Sequence, residues 1–583
     1  VASAAPGGWL LAPVDDAGAP AGPRRRVPDL AALTAQVGAD GGAGAVRWVW
    51  ADTAQVYPAL LAAGARVERC HDVALTEALL LGHEGRWGEP RSVAAAWARL
   101  TGHEVPPDAD PPVPPGHRFG AGDEEDGVQD ALFAADAVPS GTGRPGLPAD
   151  VDPLDALVAV HTDQQRRVTV ARAVSAGFGL LVAAESAAGL AAVEMTAAGL
   201  PWRSDVHDAV LVEVLGPRPG HGGRPTALRA LAEQVARLLG DPRLNPDSQP
   251  EVLRALRRSG VMVSSTRRHE LRKVEHPAVE PLLRYKELAR LHAANGWAWR
   301  DQWVRDGRFR PEYVPGGVVS GRWASRGGGA LQIPRAVRSA VVADPGYVLV
   351  VADAGQLEPR VLAALSGDPG MIAATRAGDL YAEIAARALG RPEARAEAKV
   401  ALLSAMYGGG AGSAAPALAA LRKRFPAALT VLEDAARTGQ DGGVVRSVLG
   451  RTSPAARSGW LDGLTDEAAG ARARARGRFT RNFVVQASAA DWAGVLVAGL
   501  RTRLDRLDRL DGVNRLDGAD RAGPELVFFQ HDEVVLHVPR DLADAAVAAV
   551  AQAGAEASRL VLPGRAVTVP LDAVVVDSYA DKP

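Results

Sequence analysis

The chain has 583 residues, too many for a single hydrophobic core, so two or more compact units are expected. Apolar residues make up 47% and charged residues 23%, and no apolar run reaches the ~18 residues of a bilayer-spanning helix, which argues against a membrane protein. The net charge of −2 excludes a basic character of the whole chain, so any grip on nucleic acid must come from local arginine clusters, and the lone Cys70 excludes an internal disulfide.

Residues 1 to about 104 read as a small α/β unit, with apolar strands at Trp9 to Val14 and Val46 to Trp50 and helical patterns around Pro58 to Leu61 and Leu75 to Leu81. The opening VASAAPGGWLLAPVDD lacks the basic region and long apolar core of a secretory signal, so a cytoplasmic location is expected. Pro-rich, acidic and Gly-rich stretches at 106–126 and 140–153 read as linkers. From about Asp155 to Asn295 the periodicity is helical, with amphipathic segments at Thr226 to Leu239 and Glu251 to Arg258. From Gly317 onward the pattern turns mixed: a strand at Tyr347 to Ala352, helices through Asp379 to Leu389 and Pro392 to Met406, and a hairpin from Leu526 to Val538. The repeat RLDRLDRLDGVNRLDGAD at Arg503 to Asp520 offers no sustained core face, and its later part reads as a solvated insertion.

Two carboxylates stand at the ends of apolar strands. YVLVVAD is apolar throughout, as a strand buried on both faces would be, and delivers Asp353 at its C-terminal end, before the helix QLEPRVLAALSG. The plain alternative is that Asp353 only caps that helix. LVFFQHDEVVLHVP reads as two strands with His531, Asp532 and Glu533 at the turn, a place usually filled by Asn-Gly or Asp-Gly. Arg395, Lys399, Leu403 and Tyr407 recur every four residues on one helix and share a face about 18 Å long. That face begins basic and ends apolar and aromatic. This suits a nucleotide, phosphates against Arg395 and Lys399, base and sugar against Leu403 and Tyr407.

DAGQLEPRVLAALSGDPG, RAEAKVALLSAMYG and QHDEVVLHVP resemble, in order and spacing, the polymerase motifs A, B and C of the DNA polymerase I family (family A). The likeness extends through LNPDSQPEVLRAL, HPAVEPLLRYKELARL, GVVSGRWAS, LQIPRAVR and RFTRNFVVQASAADW, roughly everything after residue 180, and is similar to actinobacterial members described as bifunctional 3′-5′ exonuclease and DNA polymerase. The resemblance implies an α/β multi-domain protein with a right-hand polymerase at 156–583, and at 1–155 an N-terminal ribonuclease H-like 3′-5′ exonuclease-type domain. Within the hand it implies a thumb near 180–300, a palm near 301–370 and 476–583, and fingers near 371–475. Asp353 and Asp532 are the implied ligands of two Mg2+ ions, with Mn2+ as a substitute, as phosphoryl transfer to a primer hydroxyl requires. Lys399 is the implied proton donor, Glu358 the gate against a ribose 2′-hydroxyl, and Gln356 a neighbour of the nucleotide pocket. Arg322, Arg478, Asn482, Gln486 and His531 are the implied contacts to primer end, template and minor groove, and SSTRRHELRK at Ser264 to Lys273 offers hydroxyls and cations to duplex phosphates. The implied partners are primer-template DNA and deoxynucleoside triphosphates, handled by a monomer near the bacterial nucleoid during repair or gap filling.

Some positions depart from the family. Leu403 stands where an aromatic ring is usual and Tyr381 where a histidine is, which implies weaker nucleotide binding. In motif A, Ala354, Gly355 and Pro359 replace Tyr, Ser and Leu. The N-terminal segment RWVWADTAQVYPALLAAGARVERCHDVALTEALLL resembles the family's exonuclease, yet WLLAPVDDAG lacks the Asp-x-Glu pair and Tyr57 falls near the place of a second aspartate. Proofreading is therefore expected to be lost. Two alternatives stand beside this: a catalytically weak or inactive polymerase fold that binds primer-template DNA or a repair partner, and a surviving nuclease using Asp15, Asp16, Asp52 or Asp72.

Overall fold

The computed structural model describes residues 1–5, 8–41, 46–108, 146–220, 223–326, 333–408, 415–514 and 523–582. The expected linker at 106–126 and the end of the Arg503 repeat fall largely outside these residues. The chain divides into two compact units: 1–197, 312–325 and 350–574 form one, and 198–311, 326–349 and 575–583 form the other.

The first unit opens with an antiparallel sheet of β1 (Ala2–Ala5), β2 (Gly8–Leu11) and β3 (Arg25–Val27), followed by the parallel pair β4 (Trp48–Trp50) and β5 (Cys70–Asp72). The expected strand to Val14 ends at Leu11, because Pro13 has no N–H to extend a ladder. Helices α1 (Thr53–Ala62) and α2 (Val73–His83) start at Asp52 and Asp72, whose carboxylates accept the N–H groups of Ala54 and Leu75 at 2.8 Å each. Asp72 also accepts the Thr53 N–H at 2.7 Å, and Asp15 accepts Ala17 and Ala19 in a turn. These carboxylates serve as caps, and the strands ASAA and GWLL carry no acid.

Two long helices, α3 (Pro153–Val174) and α4 (Phe178–Ala198), follow. Helix α4 and the later helical stretch Asp466–Arg509 are long and apolar enough to cross a membrane, but two-thirds of each apolar window is buried inside the protein. Leu190 of α4 joins Trp50, Tyr57, Leu60 and Leu33 in one core. At its edge the Tyr57 hydroxyl donates to Glu194 at 2.5 Å, and Arg501, 8% exposed, donates to the same carboxylate at 2.6 and 2.7 Å and to the carbonyl of Glu68 at 3.0 Å. A buried ion pair thus joins α4 to a helix of the chain's last third, and the N-terminal segment is tied to it by the hydrogen bonds of Tyr57 and the Glu68 carbonyl.

The central sheet has the order β7 (Glu525–Gln530), β8 (Glu533–Pro539), β6 (Tyr347–Ala354) and β9 (Leu571–Val576). Strand β6 lies inside the sheet and Val348 to Ala352 are all buried, as its unbroken apolar run predicts. Around the sheet stand α5 (Leu357–Ser366), α6 (Arg395–Tyr407) and α7 (Asp466–Asn514). The helix expected over Asp379 to Leu389 is split: Leu380–Ile384 is α-helical and Ala385–Leu389 a wider π turn. The charged repeat remains helical to Asn514, farther than its lack of a core face suggests.

The second unit is largely helical. Thr226–Leu238 packs on Val279–Asn295, and Val235, Val252, Leu256 and Leu282 form its core. In its Ser264 to Lys273 segment the hydroxyls are used internally, Ser264 donating to Glu270 at 2.9 Å and Thr266 accepting from Lys286 at 2.7 Å, while Arg267, Arg268, Arg272 and Lys273 are exposed.

Truncating one member of a buried pair strands the other charge, at a cost of about 3–5 kcal/mol. Arg501→Met should lower the unfolding midpoint accordingly, and adding Glu194→Leu should restore most of the loss. A single substitution costing under about 1 kcal/mol in urea titration would contradict this placement.

Candidate active site

Helix α5 begins at Leu357, and its N-cap position is Gln356, in the left-handed region at φ 56° and without a side-chain cap bond. Asp353 belongs to β6 and does not cap the helix, which disposes of the plain alternative. The β7–β8 hairpin closes through His531 and Asp532, with Gln530 paired to Glu533 and His531 at φ 56°. A non-glycine residue held at positive φ in so short a turn is strained, and such strain concentrates at functional sites.

The sheet brings the two strand ends together. The N–H of Ala354 donates to the carbonyl of Asp532 at 3.1 Å, so Asp353 and Asp532 sit on adjoining strand ends. Burial, and then the neighbouring Asp353 charge, push the Asp532 carboxyl up to about 7, Arg322 opposing and Glu358 adding to the effect. Glu358 accepts from Arg322 and, at 2.7 Å, from the Tyr407 hydroxyl, which also bonds Gln486. Burial and the adjacent Glu358 hold the Tyr407 phenol in its neutral form.

A second network adjoins the first through Gln356. Its side chain donates to Asp379 at 3.0 Å and accepts the Leu380 N–H at 2.9 Å, while Asp379 also pairs with Arg395. The guanidinium of Arg395 and the ammonium of Lys399 lie 5.7 and 5.8 Å from the Tyr381 ring centre. Burial and Glu358 push that phenol up to about 12. Ala398, Ala401, Leu402 and Ala405 fill the covered face of α6, leaving Arg395 and Lys399 exposed, Leu403 half-buried and Tyr407 at the open end. The four residues expected to share a face do share the open one.

Arg478, Asn482 and Gln486 follow one another at four-residue steps on α7. Arg478 is exposed and lies over Gly408, where a β-carbon would come within 2.6 Å of its Cγ. Asn482 is 2% exposed and so is not offered to solvent, unlike the surface position expected of a DNA contact. Sequence reasoning missed Asp379, which joins Gln356 to Arg395; its only signal, an acid before a helix, reads equally as an N-cap.

No group of three or more His, Cys, Asp and Glu side chains capable of holding a metal occurs among the described residues. The pair Asp353 and Asp532 supplies hard oxygen donors with Glu358 nearby and Arg322 as a counter-charge, and this donor set suits a divalent cation completed by a phosphorylated ligand.

The model of DNA polymerase family A matches residues 227–578, more than half of the chain. The chain belongs to that family. It is 30% identical over 300 residues to the thermostable DNA polymerase I of Thermus filiformis, a stretch covering 47% of this chain and 33% of that one. It is 30% identical over 296 residues to DNA polymerase I of Chloroflexus aurantiacus, covering 45% of this chain and 30% of the relative. The chain thus spans about a third of the length of these relatives. Among solved structures, the POL domain of Pol1 from M. smegmatis, in complex with DNA primer-template and dNTP, shares the fold at a TM-score of 0.68 and 21% identity, over 96% of this chain and 91% of that one.

The raised carboxyl gives a pH signature. Its value of about 7, against an ordinary 3.8, means that stability from Asp532 is full below about pH 4 and is lost as pH rises through 7 in metal-free protein. Millimolar Mg2+ should therefore raise the thermal midpoint more at about pH 8 than at about pH 6, and hardly at all in Asp532→Asn. Equal gains at both pH values would contradict the pairing.

Proposed function

We propose that the protein is a template-directed DNA polymerase that extends a primer 3′ end with deoxynucleoside triphosphates. The observation that carries this reading is the meeting of Asp353 and Asp532 on adjoining strand ends, beside the open basic face of α6. Two divalent cations held by these carboxylates, Mg2+ in the first instance and Mn2+ as a substitute, would lower the pKa of the primer hydroxyl and neutralise the departing pyrophosphate. Arg395 and Lys399 hold the triphosphate, and Lys399 donates the proton that the pyrophosphate takes up. Leu403 and Tyr407 border base and sugar. Glu358, which Tyr407 and Arg322 hold in place, acts as the gate against a 2′-hydroxyl. Gln486, His531, Arg322 and Arg478 meet the primer-template, and Asn482 does so only after a rearrangement that uncovers it.

The domain reading follows: a thumb near 180–300, a palm near 301–370 and 476–583, fingers near 371–475, and a nuclease-like segment at 1–155. The antiparallel triplet β1–β3, followed by parallel β4 and β5 with intervening helices, supports the ribonuclease H-like class. That segment does not proofread, since Asp15, Asp52 and Asp72 are engaged as turn and helix caps and Tyr57 is tied to Glu194. The enzyme acts as a monomer in the bacterial cytoplasm, in repair or gap filling. The second reading, a primer-template binder without catalysis, draws on Leu403 and Tyr381.

Primer extension with Mg2+ or Mn2+ separates the two. The polymerase reading expects extension that falls by at least about a thousandfold in Asp353→Ala or Asp532→Ala, while primer-template binding persists. Binding by the intact protein with no incorporation under either metal favours the second reading.

A further inference from the structure

Beneath the turn that carries Arg322 lies a buried ion cluster with no part in the chemistry described so far. Arg451 is 6% exposed and Asp491 2%. The Arg451 Nη2 donates to Glu185 at 2.8 Å and Nη1 at 3.5 Å, while Nε donates to Asp491 at 3.4 Å. Asp491, on α7, also accepts the N–H of Leu449 at 3.1 Å. Burying three charges costs several kcal/mol per ion, so such a cluster contributes little net stability compared with apolar packing and is better suited to fixing a geometry.

The geometry it fixes is that of the 314–322 turn. A β-carbon at Gly316 would come within 2.2 Å of Glu185 Oε1, and one at Gly321 within 2.3 Å of Arg451 Nε. Both glycines have positive φ, so the backbone lies directly on the ion pair in a conformation that side chains disfavour. Gly321 donates to the Val318 carbonyl at 2.7 Å and Val318 to the Arg322 carbonyl at 3.0 Å, closing the turn. On its other side Trp323 meets Phe529 of β7 edge-on at 5.0 Å between ring centres. Arg322, between Gly321 and Trp323, pairs with Glu358.

We propose that Arg451, held by Glu185 and Asp491, is a positioning residue that sets the seat of Arg322 and through it the place of Glu358, so that discrimination between deoxyribo- and ribonucleotides depends on a cluster touching neither. This rests on the polymerase reading and on Glu358 as the sugar gate. Lysine at 451 keeps the charge but loses the planar fork that engages two carboxylates at once.

The test is primer extension by the full chain with Mg2+, comparing kcat/KM for a deoxynucleotide and its ribo counterpart in wild type, Arg451→Lys, Glu185→Gln and Gly321→Ala. The expected result is a deoxy-to-ribo ratio lowered about tenfold or more in variants that remain folded, as small displacements of a positioned group produce. Arg501→Lys, at another buried arginine, whose partners are Glu194 and the carbonyls of Val67 and Glu68, should lower the unfolding midpoint and leave the ratio unchanged. An unchanged ratio in folded Arg451→Lys or Glu185→Gln overturns the inference while polymerase activity stands. No incorporation by wild type overturns the polymerase reading, and this inference with it.

Discussion

Two like charges brought together at low exposure are the constraint on which the site depends. The hydrogen bond from Ala354 to the Asp532 carbonyl places the end of β6 beside the β7–β8 turn. Burial, and then the charge of Asp353 beside it, push the Asp532 carboxyl up from its ordinary value. Such an arrangement is costly unless cations enter with the ligand. The backbone bears strain at the same place, with Gln356 and His531 both at φ 56° on either side of the pair.

The neighbouring groups are ordered by this charge. Arg322 faces both Asp532 and Glu358, and Tyr407 fixes the other oxygen of Glu358, so Glu358 and the carboxylate pair share one counter-ion. Asp379 restrains Arg395 while Lys399 stays exposed, which leaves α6 with one tethered cation and one open one. Tyr381 lies under both, offering an aromatic face where an imidazole would have offered a titratable charge.

Much of this was legible in the chain. YVLVVAD and LVFFQHDEVVLHVP are apolar runs whose strand character needs no tertiary information, and the four-residue recurrence from Arg395 to Tyr407 defines a helix face by geometry alone. What was not legible depends on partners distant in sequence. Asn482 has the spacing of an open face, yet surrounding elements bury it. Glu185 and Arg451 lie 266 residues apart and neither stands in a telling local pattern. Asp379 is a helix cap as well as the link to Arg395, so its pattern reads as the cap alone, and the left-handed backbone at Gln356 runs against that residue's propensity.

The most direct test is a count of bound Mn2+ by electron paramagnetic resonance in a complex with dideoxy-terminated primer-template and the matching nucleotide. Two ions per protein are predicted for the wild type, with the protein-held sites lost in the Asp353→Asn/Asp532→Asn double variant. Two ions retained at undiminished affinity in that variant would show that these carboxylates do not hold the metal.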